Sequence, residues 1–222
     1  MKQHKATPIS ESDLFVACIT FISGFCNTYS LKCYGSAASF HTGNLLQLGI
    51  AFGEGNMSLA ASYLKIISVF FMGIVFCEFL ETTWKKTDSK GLGLVICIVY
   101  TFLLGWSGNI FPKAMVVYSV YFYFGFYMNL FLKWNGKNFS TTVCTGNIRA
   151  LGVNFVNTFE QNKSKLALAK NFALVACFPL GSSACAHLIS ILETHDHNAI
   201  WVVTAMLTVL FIQYYKSLQK HK

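Results

Sequence analysis

At 222 residues the chain could make one or two ordinary soluble domains, but it is 54% hydrophobic and only 12% charged, roughly half the charged share of a soluble protein. That balance excludes a water-soluble globular fold. The net charge of +8 rests on lysines scattered between apolar runs and beside the termini, which excludes the single basic stripe of a nucleic-acid binder.

Residues 1 to 13 are polar, with Lys2 and Lys5, and precede an apolar run over about 14 to 31. No small-residue cleavage site ends that run and further runs follow, so it reads as a retained first helix and not as a signal peptide. Further runs of spanning length cover about 57 to 80, 91 to 110, 114 to 132, 166 to 192 and 198 to 215. Two shorter pieces, about 43 to 53 and 146 to 158, suit half-membrane helices. Stretches such as Val69 to Phe76 do not alternate, which argues against a barrel. The expected fold class is all-α: a polytopic membrane protein of about six transmembrane helices, with residues 1 to 222 forming one transmembrane domain.

Within the runs, Lys65 is expected to snorkel, and Glu78 and Glu81 to sit at a span end near Lys85. The aromatic run from Tyr118 to Tyr127 reads as lipid-facing and packing surface. Pro179 with Gly181 predicts a kink in the fifth span, and Ala173, Ala176, Cys177 and Ala184 offer a small-residue packing face. His187 falls near the outer end of that span. The eight cysteines include no C-x-x-C pair and mostly lie in apolar runs, so they read as small, reduced packing residues, with no metal or other cofactor expected.

Lysine and arginine in short connections mark the cytoplasmic side. With the N-terminus inside, the inner pieces hold Lys2, Lys5, Lys85, Lys86, Lys90, Lys133, Lys137, Arg149, Lys163, Lys165, Lys216, Lys220 and Lys222. The outer pieces hold Lys32 and Lys113, with acidic Glu193 and Asp196. Every connection agrees with six spans and both termini in the cytoplasm, and the expected location is a bacterial plasma membrane (inner membrane).

Residues 39 to 52 align without a gap to residues 142 to 155, matching Thr42 with Thr145, Gly43 with Gly146, Asn44 with Asn147, Leu48 with Leu151, Gly49 with Gly152 and Phe52 with Phe155. A similar offset carries Asn27 close to Asn129, and the first three spans onto the last three. The repeats are therefore 14 to 110 and 114 to 215, joined around Ser107 to Lys113. An odd number of spans per unit makes the copies inverted, as in many transporters. Each Thr-Gly-Asn segment would begin a half-helix whose end Thr or Asn can cap, and two such ends facing each other would form a polar, weakly anion-favouring constriction. The first segment reads as apolar and buried. In the second, Arg149 either guards an inner mouth or lies with the helix at the interface.

The candidate substrate- or pore-lining residues are Asn27, Thr42, Gly43, Asn44, Gln47, Asn129, Thr145, Gly146, Asn147 and Arg149. Polar side chains in apolar surroundings must find partners or line water. Capping and interhelical hydrogen bonding are the structural alternatives. His41 flanks the first motif and reads as a solvated loop histidine.

Gly24-x-x-Asn27, Ser39-Phe40, Thr42-Gly43-Asn44 and Leu48-Gly49, with the second Thr145-Gly146-Asn147, resemble the YoaK family of uncharacterised bacterial membrane proteins over nearly the full chain. The resemblance implies a polytopic inner-membrane protein with no assigned activity. Where family members carry an acidic residue and a Gln, this chain has Asn27 and Met128, so any proton-carrying role of that acid would be lost here. H-E-x-x-H, G-x-S-x-G, Walker and paired-aspartate signatures are missing, and an enzyme is not expected. Two functions stay open: a carrier or channel for a small solute, or a non-transporting scaffold, sensor or partner subunit. The partners expected are the lipid bilayer and a small solute, with a homo-oligomer allowed.

Overall fold

In a medium without water the backbone must satisfy its own N–H and C=O groups, and each apolar run does so as a helix. The computed structural model describes residues 8–84, 88–108, 110–142, 144–160 and 164–220. Its α-helices are α1 (Asp13–Tyr34), α2 (His41–Gly53), α3 (Met57–Thr83), α4 (Ser89–Ser107), α5 (Lys113–Leu130), α6 (Cys144–Glu160), α7 (Lys165–Leu192) and α8 (Ile200–Lys220). One-turn 3-10 segment Ile9–Glu11 precedes α1, and Glu193–Ala199 links α7 to α8. An antiparallel hairpin, β1 (Lys133–Trp134) with β2 (Lys137–Asn138), follows α5. Of the residues used above, Lys2, Lys5, Lys85, Lys86, Lys163 and Lys222, Asn109 of the join and Val143 of the second repeat segment lie outside the described residues.

Local chemistry sets several boundaries. Ser12, Asn56, Asp88 and Ser164 accept from the first-turn N–H groups of α1, α3, α4 and α7, and Gly35, with φ 73°, closes α1. α7 continues as helix through Pro179.

Five segments are long and apolar enough to cross a bilayer: α1, α3, α4, α7 and Asp196–Gln219. α5 is not among them, because its 18 residues include Tyr118, Tyr121, Tyr123 and Tyr127. Its surroundings explain why it can carry them. Val116, Val120, Tyr121, Tyr123, Phe124, Phe126, Tyr127 and Leu130 of α5 are all buried, so of the lipid-facing and packing surface expected for this run the packing part dominates, at the centre of the core. A helix that is apolar nearly all round belongs inside.

α1 crosses α7, α3 crosses α5, and α4 lies along α8. The first two crossings use the same device on all four helices, a Phe-x-x-Gly step. A Cβ on Gly24 would overlap the carbonyl oxygen of Phe178, and one on Gly181 that of Phe21; Gly73 stands in the same relation to Phe122, and Gly125 to Phe70. Lipid is as apolar as a side chain, so helices in it associate through such close backbone approach. The face of α7 that packs is therefore the one through Gly181, with Leu174 and Cys185 buried. Of the face expected to pack, Ala173 and Ala184 are exposed and Ala176 and Cys177 half-buried. Cys26, Cys77, Cys97 and Cys185 are buried thiols.

Between α4 and α8, Thr204 Oγ1 donates to Thr101 Oγ1 at 2.9 Å and Trp201 Nε1 to the Phe102 carbonyl at 3.1 Å. At the start of α1, Asp13 accepts from Trp134 Nε1 at 2.8 Å, Asn135 Nδ2 at 2.9 Å and Lys170 Nζ at 2.6 Å, tying the hairpin and α7 to α1.

Candidate functional site

Several of the buried polar groups form a seam along one face of α1. Residues Ile19, Ser23 and Asn27 follow at four-residue steps, so they stack on one face. Asn27 Nδ2 donates to the Ser23 carbonyl at 2.9 Å, and its Oδ1 accepts from Ser39 Oγ at 2.6 Å. Ser23 and Tyr127 both donate to the Ile19 carbonyl, at 2.9 and 2.8 Å. At the far end of α1, Ser30 donates to the Ser36 carbonyl, and the Ser36 and Tyr121 hydroxyls share a hydrogen bond. Asn27 thus pins the loop in front of α2.

That loop also places His41. Its ring lies on Phe70, with centroids 3.5 Å apart, and edge-on to Tyr121 at 5.7 Å. Burial pushes its pKa down to about 4, opposed only by the hydrogen bond to the Ala38 carbonyl. It is therefore a neutral packing group and not a solvated loop histidine.

Beyond this point the Thr-Gly-Asn residues diverge from the expected constriction. α2 packs on α3 and α6 on α7, and neither packs on the other. α2 is capped by Phe40 without a side-chain bond, and Ala51 is the one buried residue on it. Thr42, Gly43 and Gln47 are exposed and Asn44 half-buried, with its Nδ2 unpartnered among the described residues. The first segment is therefore not enclosed by the protein, because only its α3-facing side finds a neighbour. In α6, Thr145, Gly146 and Arg149 are exposed, whereas Asn147 is buried and its Nδ2 donates to the Ser140 carbonyl at 2.5 Å. A Cβ on Gly43 or Gly146 would meet nothing within 4 Å, so neither glycine serves close packing.

Asn129 does not reach the second motif. Its Nδ2 donates to Glu78 Oε2 at 3.3 Å. It lines a polar pocket of about 190 Å³ with Glu11, Glu78, Glu81, Lys90 and Lys133. Lys90 Nζ is bound to Glu81 Oε1 at 2.5 Å and to the Leu130 carbonyl. A second polar pocket of about 180 Å³ lies at the other end of α5, lined by Cys33, Tyr34, Lys113, Asp196 and His197. The 18 residues of α5 separate the two by about 25 Å at 1.5 Å per residue. Both pockets offer charges of each sign and hydrogen-bonding groups, a lining suited to a small polar solute. Of these residues only Asn129 was a sequence candidate. The Glu78-x-x-Glu81 spacing, which puts both carboxylates on one helical face, was the signal available for the first pocket; the second joins chain segments that sequence spacing does not connect.

No curated protein and no solved structure matches this chain. A family model described as a protein of unknown function (DUF1275) matches residues 15–213, a stretch that runs from the first turn of α1 to the last turns of α8 and takes in the seam and both pockets apart from Ser10 and Glu11 of the first. The chain belongs to that family.

Proposed function

We propose that this chain is a carrier for a small polar solute, built from two inverted three-helix units over 14 to 110 and 114 to 215, with six spans. In this reading both termini face the cytoplasm of a bacterium across its plasma membrane, and the chain moves its solute without chemical change. The helix pairing supports the repeat. Exchanging the units turns the α1 and α7 crossing into that of α5 and α3, turns α2 on α3 into α6 on α7, and leaves α4 with α8 unchanged.

The observation that carries the reading is the pair of pockets. Each combines the end of a unit's first helix, the piece before the other unit's first helix, and the turn between second and third helices. Between them the core is closed by Tyr123, Phe124 and Tyr127, each at most 2% exposed. A channel needs a wet path between its mouths, whereas two pockets separated by a dry layer suit a carrier that opens one face at a time.

Vesicles containing the purified protein, challenged osmotically with sugars, polyols and amino acids and followed by light scattering, test this. At least one solute should enter saturably, and Asn129→Leu should abolish that entry while still inserting. Entry no faster than into empty vesicles for every solute would instead favour the scaffold, sensor or partner-subunit reading.

A further inference from the structure

The two half-length helices carry the same four apolar positions, Leu45, Leu48, Gly49 and Phe52 in α2 and Ile148, Leu151, Gly152 and Phe155 in α6. Their settings differ. α2 closes onto α3 around a three-residue turn flanked by Ala51 and Ala60, at 0% and 1% exposure. Asn154 stands in α6 where α2 has Ala51, and α6 and α7, though in contact, leave a gap between their apolar faces. The gap is an open cleft of about 640 Å³, floored by the four α6 positions together with Leu168, Ala169 and Phe172 of α7. Among the described residues its single charged lining residue is Lys165, in the first turn of α7. Beside the cleft, α6 exposes Val156 and Phe159, at 49% and 63%, with Arg149 two turns before Val156 on the same side and Asn157 turned away from Phe159.

We propose that this cleft seats one acyl chain of an anionic phospholipid, with Lys165 facing the headgroup phosphate. The occupant follows from the lining. An apolar floor open to the outside of a bundle whose helices are long enough to cross a bilayer meets hydrocarbon first, and Lys165 at its end complements an anionic headgroup over a neutral one. The short apolar helix with polar residues on its other side is the form that lies at the boundary of headgroups and chains. The inference is independent of transport: it holds for a carrier and for a scaffold alike.

The test is native mass spectrometry of the full chain in detergent, titrated with phosphatidylglycerol or phosphatidylcholine of identical chains. The unmodified protein should retain one phosphatidylglycerol in preference to phosphatidylcholine. Lys165→Gln should reduce that preference by about fivefold, the attraction one lysine contributes at an anionic surface, and Ala169→Phe, which fills the floor, should abolish retention of both lipids. Leu45→Phe on α2 should leave retention unchanged, and circular dichroism of each variant reports folding. Equal retention of the two lipids by the unmodified protein, or undiminished retention by folded Ala169→Phe, would overturn the proposal.

Discussion

Tyr123 and Tyr127 stand one turn apart on α5, both buried, and their hydroxyls have opposite fates. Tyr127 donates to the Ile19 carbonyl at 2.8 Å, whereas the Tyr123 hydroxyl has no hydrogen-bond partner among the described residues. Tyr127→Phe should therefore cost about 1 kcal/mol, with the Ile19 carbonyl left one donor short. Tyr123→Phe should be neutral or stabilising, because it removes a buried polar atom without orphaning a partner. Thermal unfolding of the two variants in detergent checks the contrast; equal losses would mean that the Tyr123 hydroxyl is satisfied by a bound water. At this scale the sequence was only partly legible. Asn27 could be placed because its partner Ser39 is 12 residues away, in the loop that follows α1. The neighbours of His41 could not, since Phe70 and Tyr121 come from α3 and α5.

At the scale of elements, boundaries were legible and faces were not. The runs drawn at about 14 to 31 and 57 to 80 correspond to Asp13–Tyr34 and Met57–Thr83, and the short piece at about 43 to 53 to His41–Gly53, because apolar length and capping residues are local properties. Which side of a helix packs depends on where another backbone crosses it. The repeated Phe-x-x-Gly step was present in the sequence, but nothing in it distinguishes Gly24 and Gly181, which sit against carbonyls, from Gly43 after Phe40, where an added Cβ meets nothing, as at Gly152. Substitution should separate them. Gly24→Ala or Gly181→Ala should destabilise by about 1–3 kcal/mol through overpacking, and Gly152→Ala should stabilise by up to about 1 kcal/mol through helix propensity. Unfolding midpoints in one detergent measure both, and destabilisation by Gly152→Ala would show that the α6 face is covered.

For the whole molecule, the two units share a plan but not an outcome. The first Asn binds its own loop through Ser39, while its counterpart Asn129 binds Glu78 on α3; α2 folds tightly onto α3, while α6 leaves a cleft. Such differences arise from contacts between distant parts of the chain, such as Asp13 with Lys170, 157 residues apart, which the repeat alignment does not encode. The two pockets share that origin, which is why composition pointed to the membrane while the pocket-lining residues, Asn129 apart, emerged only from the fold. The proposed inverted units put those pockets on opposite sides of the bilayer. Sided thiol labelling tests this most directly, in single-cysteine proteins that retain Cys33 or carry Ser10→Cys, exposed to a membrane-impermeant maleimide in intact cells and in inverted vesicles. The account predicts that Cys33 reacts only from outside and the thiol at position 10 only from inside; reaction of both from the same side would contradict it.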